Sequence, residues 1–256
     1  MNCIEIPNSL YQVGQDRFLF QTEDLEFVRY TSHKKTTTNE VRLEKNLLLF
    51  VRSGTKTVRI YNEYTTIPAN SGAFIPKGSY LMTELSNGSN CIFESMMVLI
   101  SDKLFYDTFQ DIAQGQHMQS VDPVKSGNEM SPWAPFEGTP FLDAVLDTLD
   151  SYFLSPESVH SDYLTVKLKE IFLYLLNGSK CSSNLSHLAA YIGSSQRNIS
   201  MKRFMEKNYT QPWTIERYAE HYGLSLSTFK REFNEVFGES PRRWIKRYRS
   251  KSAASK

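Results

Sequence analysis

Three cysteines, Cys3, Cys91 and Cys181, are too few, too far apart and odd in number for a disulfide framework, a usage that fits a reducing cytoplasm. No run of roughly 18 apolar residues is present to span a membrane, so no membrane partner is expected. The opening MNCIEIPNSLYQ lacks a basic stretch followed by an apolar one and does not read as a secretory leader. Histidine is sparse as well. His33, His117, His160, His187 and His221 form no H-x-H or H-x-x-x-H pair that would offer imidazoles to iron or zinc. Each is expected at the surface or as a cap, and neither a metal nor another cofactor is expected. A G-x-S-x-G elbow, a phosphate-cradling glycine loop and a paired His and Cys nucleophile are missing too, which sets enzymes aside.

What the chain does have is length and a divided charge. Its 256 residues, 40% of them hydrophobic, have room for two modest domains. The net charge of +1 hides an asymmetry: residues 199–256 carry 13 Lys and Arg against 6 Asp and Glu, whereas residues 1–198 carry 16 against 22. Positive charge gathered at one end is the footprint of phosphate binding, where an even spread would serve only solubility.

Residues 1–100 read as β-rich. Leu47 to Val51 is a buried-strand run, Ser53-Gly54 signals a turn, and Thr55 to Tyr61 alternates around Val58 and Ile60. A short apolar piece follows between Gly72 and Gly78, before extended patterning resumes over Tyr80–Leu85 and Cys91–Ile100. Strands this short and this closely spaced imply a small barrel or sandwich.

A helical run covers Lys103–Ile112, and Gln114–Gly138 reads as an exposed loop in which Trp133 and Phe136 are either a lid or simple packing. Thr139-Pro140 opens a helix with Leu142, Val145, Leu146, Leu149 and Phe153 on one stripe and Asp143, Asp147 and Asp150 on the other side. After Ser155-Pro156 a second helix carries Leu164, Leu168, Ile171, Phe172 and Leu175 and stops at Asn177-Gly178. The two form an antiparallel hairpin over 139–177. The second helix is apolar over more than half its circumference, wide enough for both intramolecular packing and self-association. Polar residues flanking LSHLAAYI make 181–198 the expected linker between domains 1–180 and 199–256.

The C-terminal stretch holds three helix signals after a first helix at 199–209. Thr214 caps a helix bearing Ile215, Tyr218, Ala219 and Tyr222, which Gly223 ends. Ser225 caps the next, over 225–237, where Phe229, Phe233 and Phe237 stand four apart opposite Ser227, Lys230, Arg231 and Asn234. Ser240-Pro241 starts a third that buries Trp244, Ile245 and Tyr248. Two helices across a short glycine turn are either a helix-turn-helix reading the major groove or a helical hairpin with a wet basic face.

The run from FMEKNY (204–209) through Tyr218-Ala219-Glu220, Gly223-Leu224-Ser225, FKREF (229–233), Phe237-Gly238 and Ser240-Pro241 resembles the first helix-turn-helix of AraC/XylS-family transcription regulators. FMEKNY, LSTFKREF and SPRRWI are similar to the ExsA-type activators of type III secretion genes within that family. The resemblance implies an α+β chain: a cupin-like β-barrel with its helical hairpin, then an all-α DNA-binding domain. GAFIPKGSY looks like a strand and turn of such a barrel. It implies that Leu226, Ser227, Lys230 and Arg231 read bases in promoter DNA. Thr228, Asn234, Arg242, Arg243, Lys246, Arg247 and Arg249 are expected on phosphates. It also implies a homodimer through Leu164, Leu168, Ile171, Phe172 and Leu175, contact with RNA polymerase, and either a small ligand or an anti-activator or chaperone protein as input.

One feature departs from the family pattern. Members carry two helix-turn-helix units, and here only 18 residues follow Gly238, with Ser250 and Ser252 where bulky residues are usual and SAASK as a frayed end. The second unit is therefore expected to be missing, through truncation, frame shift or loss. A lone unit binds DNA weakly, and dimerisation offsets that by bringing two units to one duplex. The rival reading is an interaction protein that binds no DNA and titrates a full-length relative or a secretion chaperone.

Overall fold

The computed structural model describes residues 3–9, 17–86, 92–115, 131–155, 159–177 and 181–254. These divide into two compact units, Met1–Gly193 and Ser194–Lys256. Cys91, His117, Pro156 and Gly178 lie outside the described residues, as does 116–130 of the loop expected after the first helix.

Among the described residues of the first unit, eleven strands form two sheets. The five-stranded sheet runs β1 (Cys3–Ile6), β4 (Thr36–Leu43), β9 (Gly78–Leu85), β6 (Thr55–Ile60), β7 (Glu63–Pro68). The six-stranded sheet runs β11 (Ala134–Glu137), β8 (Ser71–Ile75), β5 (Asn46–Ser53), β10 (Phe93–Ile100), β3 (Leu25–Ser32), β2 (Arg17–Gln21). Every pairing is antiparallel except β1 with β4. The sheets face each other across an apolar interior to which Val41, Val58 and Met82 contribute from one side and Leu47, Leu49, Ile75 and Met97 from the other.

The run Leu47–Val51 is continuously apolar because its sheet is covered on both faces. Leu47, Leu49 and Val51 point to the opposing sheet, while Leu48 and Phe50 join a second core made with helices α1 (Asp102–Gly115), α2 (Pro140–Leu154), α3 (Ser161–Leu176) and the start of α4 (Ser182–Asn208). The unit is thus three layers, sheet on sheet on helices. Gly54 sits at φ 86 in the β5–β6 turn, where a Cβ would also come within 2.5 Å of the Leu85 carbonyl oxygen. Near one end of the interior Lys56 donates to Glu84 at 2.5 Å, and the Tyr30 hydroxyl donates to the same carboxylate at 3.0 Å.

The hairpin forms as its sequence implies. Thr139 accepts from the Leu142 N–H at 3.3 Å and Pro140 occupies the first turn of α2, whose five stripe residues are all buried. Three expectations are corrected. Residues 131–138 are not an exposed loop: β11 pairs with β8, and Trp133 and Phe136 are buried as packing. Residues 181–198, expected as a polar linker around a short LSHLAAYI helix, are instead continuous helix from Ser182 on, in α4. Leu185, Leu188, Ala189 and Ile192 bury one side of it, and Gly193 lets it approach Tyr106, whose ring would stand 2.1 Å from an added Cβ. On the acidic side of α2, Arg52 reaches Asp147 at 2.6 Å and Asp150 at 3.4 Å, tying the helix to β5. Lastly, Leu164, Leu168, Ile171, Phe172 and Leu175, expected at a dimer face, are at most 2% exposed inside the chain's own core and are not available to a partner.

Candidate nucleic-acid interface

The second unit contains the end of α4 and three further helices, α5 (Ile215–Tyr222), α6 (Leu226–Phe237) and α7 (Pro241–Ala254). Local chemistry sets their ends. Thr214 accepts from the Arg217 N–H at 3.3 Å to start α5. Gly223 ends it at φ 83, with its N–H on the Glu220 carbonyl and the Leu224 N–H on that of Ala219, both at 3.0 Å. A Cβ on Gly223 would meet nothing within 4 Å, so the left-handed backbone rather than space calls for glycine. Ser225 caps α6 by accepting from the Thr228 N–H at 3.2 Å, and Gly238, at φ 68, ends it.

These caps present two opposite faces of α6. Phe229 and Phe233 are fully buried beside Tyr218, Met205 and Trp244, with the Phe233 and Trp244 rings edge to face at 5.8 Å. Ser227, Lys230, Arg231 and Asn234 are exposed on the other side. Hydrogen bonds from its own backbone N–H and from the Thr214 hydroxyl, followed by the charge of Lys230, hold the Glu216 carboxylate below its usual range. The exposed lysine of α6 therefore lies in the field of an acid on the preceding helix.

Several expected DNA contacts are otherwise engaged. Leu226 is half-buried against the aromatic core. The Thr228 hydroxyl lies 2.8 Å from the capping Ser225 oxygen. Arg243 and Arg247 both pair with Glu239, the former at 3.9 Å. Arg249 is no phosphate ligand in this arrangement: it donates to the carbonyls of Tyr209, at 2.8 Å, and Gln211. The Tyr218 hydroxyl donates into the same turn, toward the Asn208 carbonyl at 2.9 Å and that of Gln211 at 3.0 Å. Together they pin α7 and α5 to the end of α4, a role the sequence did not signal. Tyr248, expected to be buried, is 37% exposed and stacks on Trp244 at 3.9 Å. Arg242 and Lys246 remain exposed with no acidic partner among the described residues. So do Lys202, Arg203, Lys207 and Arg217, none of which helical period or caps single out as a DNA contact.

Two family descriptions match the chain. The ExsA N-terminal regulatory domain covers residues 46–186, more than half the sequence, and the bacterial regulatory helix-turn-helix proteins of the AraC family cover 205–246. The chain belongs to the AraC family. The second match begins at Met205 and ends at Lys246, so it encloses α5, α6, the caps of both and the exposed residues of α6.

Among the relatives of this AraC-family chain is the virulence regulon transcriptional activator VirF of Yersinia enterocolitica, 32% identical over 114 residues, 44% of this chain and 41% of VirF. The HTH-type transcriptional regulator ExsA of Pseudomonas aeruginosa is 40% identical over 52 residues, 20% of this chain and 19% of ExsA. The matches therefore span less than half the length of these relatives. Among solved structures, apo ToxT from Vibrio cholerae is 16% identical, covering 88% of this chain and 98% of its own, with a TM-score of 0.43.

Proposed function

We propose that this protein is a DNA-binding transcription activator of virulence or type III secretion genes, acting in the cytoplasm on double-stranded promoter DNA and RNA polymerase. The observation that carries the reading is the division of α6: Phe229 and Phe233 are buried, and Ser227, Lys230 and Arg231 are exposed at the start of a capped helix that a major groove admits. Lys230 and Arg231 would donate to guanine edges and Ser227 would approach a base closely, while Arg242 and Lys246 would hold phosphates. The names of the relatives VirF and ExsA support the regulatory class.

Gel-shift titrations against a cognate promoter and random DNA test this. Arg231→Ala should cost roughly 1 to 3 kcal/mol on the promoter and relax preference at one base pair, with little effect on random DNA. Arg242→Ala should weaken both alike and reduce the salt slope by about one. Identical behaviour of the two variants would remove the base-reading assignment. Mixed oligomers with a complete relative, without salt-dependent DNA binding, would instead favour the titrating interaction protein.

Self-association would use the outer side of the hairpin. Tyr163, Val166 and Leu173 of α3 are exposed, and Phe141 of α2, itself half exposed, stacks on Tyr174 at 5.2 Å. An apolar patch of this kind suits a second copy or a protein input such as an anti-activator or chaperone. Val166→Glu should shift the chain toward monomer in sedimentation velocity without changing its melting temperature; an unchanged oligomer distribution would move the interface elsewhere.

A further inference from the structure

We propose that a groove where the two sheets of the first unit meet binds a small organic cation with an apolar body. The cavity measures about 580 Å³, within the range of roughly 300 to 1,000 Å³ that small-molecule sites occupy. One lip is β7, the edge strand of its sheet, and the other is β11, the edge strand of the opposing sheet. The ends of α3 and α4 close the groove through Tyr174, Asn177 and Asn184.

Its floor is rigid and apolar. Ile67 and Phe136 are buried there, and Phe136 lies so close over β8 that a Cβ on Gly72 would fall 2.3 Å from its ring. Phe50 holds the same ring edge-on at 5.4 Å. Of the polar side chains around this floor, Thr66 and Thr139 are hydrogen-bonded elsewhere, whereas among the described residues the exposed Glu137 carboxylate and the Asn177 and Asn184 side-chain amides have no hydrogen-bonding or ionic partner.

The lining selects the class of occupant. Among the described residues that line it, Glu137 is the one acid and there is no Lys, Arg or His, so an ammonium or amidinium head finds a charge-assisted acceptor there, while a carboxylate or phosphate finds no cation. An extended peptide adding a strand is disfavoured, because each lip carries a proline at the groove, Pro68 on β7 and Pro135 on β11, and proline has no N–H for a ladder.

Isothermal titration of the full chain with phenylhexylamine, and with the matched alcohol and carboxylate, tests the inference. The amine should bind saturably at one site and more tightly than the alcohol, and the carboxylate should not bind. Glu137→Gln should weaken the amine by roughly tenfold or more while sparing the alcohol, and Asn184→Phe, which fills the groove, should weaken both. Equal binding of amine and carboxylate, indifference to Glu137→Gln, or no saturable binding of any of the three would overturn it. DNA binding is read separately, so failure here leaves the regulatory reading standing and the reverse also holds.

Discussion

Phe233→Ala is expected to unfold the second unit while leaving the first unit folded. Phe233 is fully buried and touches Phe229, Phe237 and Trp244 with ring centroids 5.7, 4.4 and 5.8 Å away. Truncating a phenylalanine in such a site costs about 3 to 5 kcal/mol. A unit of roughly 60 residues has only a few kcal/mol in total, because so small a body buries a modest share of its surface. Trp213 and Trp244 both pack in this core, so their fluorescence should shift to the red together with loss of binding to every DNA sequence. Arg231→Ala, by contrast, should leave that fluorescence unchanged. Native emission from the Phe233 variant at room temperature would mean that the unit's stability lies elsewhere.

The second large effect is expected between the sheets. Lys56 and Glu84 are both buried, and Tyr30 donates to the same carboxylate. Lys56→Met strands that carboxylate in an apolar interior, at about 3 to 5 kcal/mol. Replacing both residues by methionine should recover most of the loss, because the desolvation of two charges then disappears with their attraction. Urea unfolding followed by the far-ultraviolet dichroism of the sheets would measure both variants. A single variant as stable as the parent would show the pair to be solvated in solution.

How legible each part was depended on how local its causes are. The caps at Thr139, Thr214 and Ser225 and the stops at Gly223 and Gly238 are decided within a few residues, and the structure places each where its residues imply. Strand β5 was legible for a related reason, since a sheet covered on both faces leaves an unbroken apolar run. Strand β4 was not: TTTNEVRL carries five polar residues before its first buried apolar one, and it is a strand because β9 pairs with it along its whole length. The same holds for β11, whose four residues mean nothing until β8 lies beside them.

At the interface, the exposure of Ser227, Lys230, Arg231 and Asn234 follows from a helical period set against three phenylalanines. Arg249 escaped that logic. Its partners Tyr209 and Gln211 lie some 40 residues earlier in the chain, the separation between Arg249 and the Tyr209 carbonyl it binds, and only folding brings them together. Residues 181–198 misled for the opposite reason: their serines and Gly193 are polar or small, as in a linker, yet small size is what lets α4 lie against Tyr106.

By itself, then, the sequence determined the type and caps of α2, α5 and α6, the aromatic and cationic sides of α6, the double-sided burial of β5 and the family, because each rests on period, caps or wording within a short span. Tertiary structure alone decided that the stripe of α3 serves the chain's own core, that Arg249 holds a turn, and that β7 and β11 frame a groove. The reason is physical: an apolar stripe or a guanidinium specifies what it needs, burial or an acceptor, but not which distant segment supplies it.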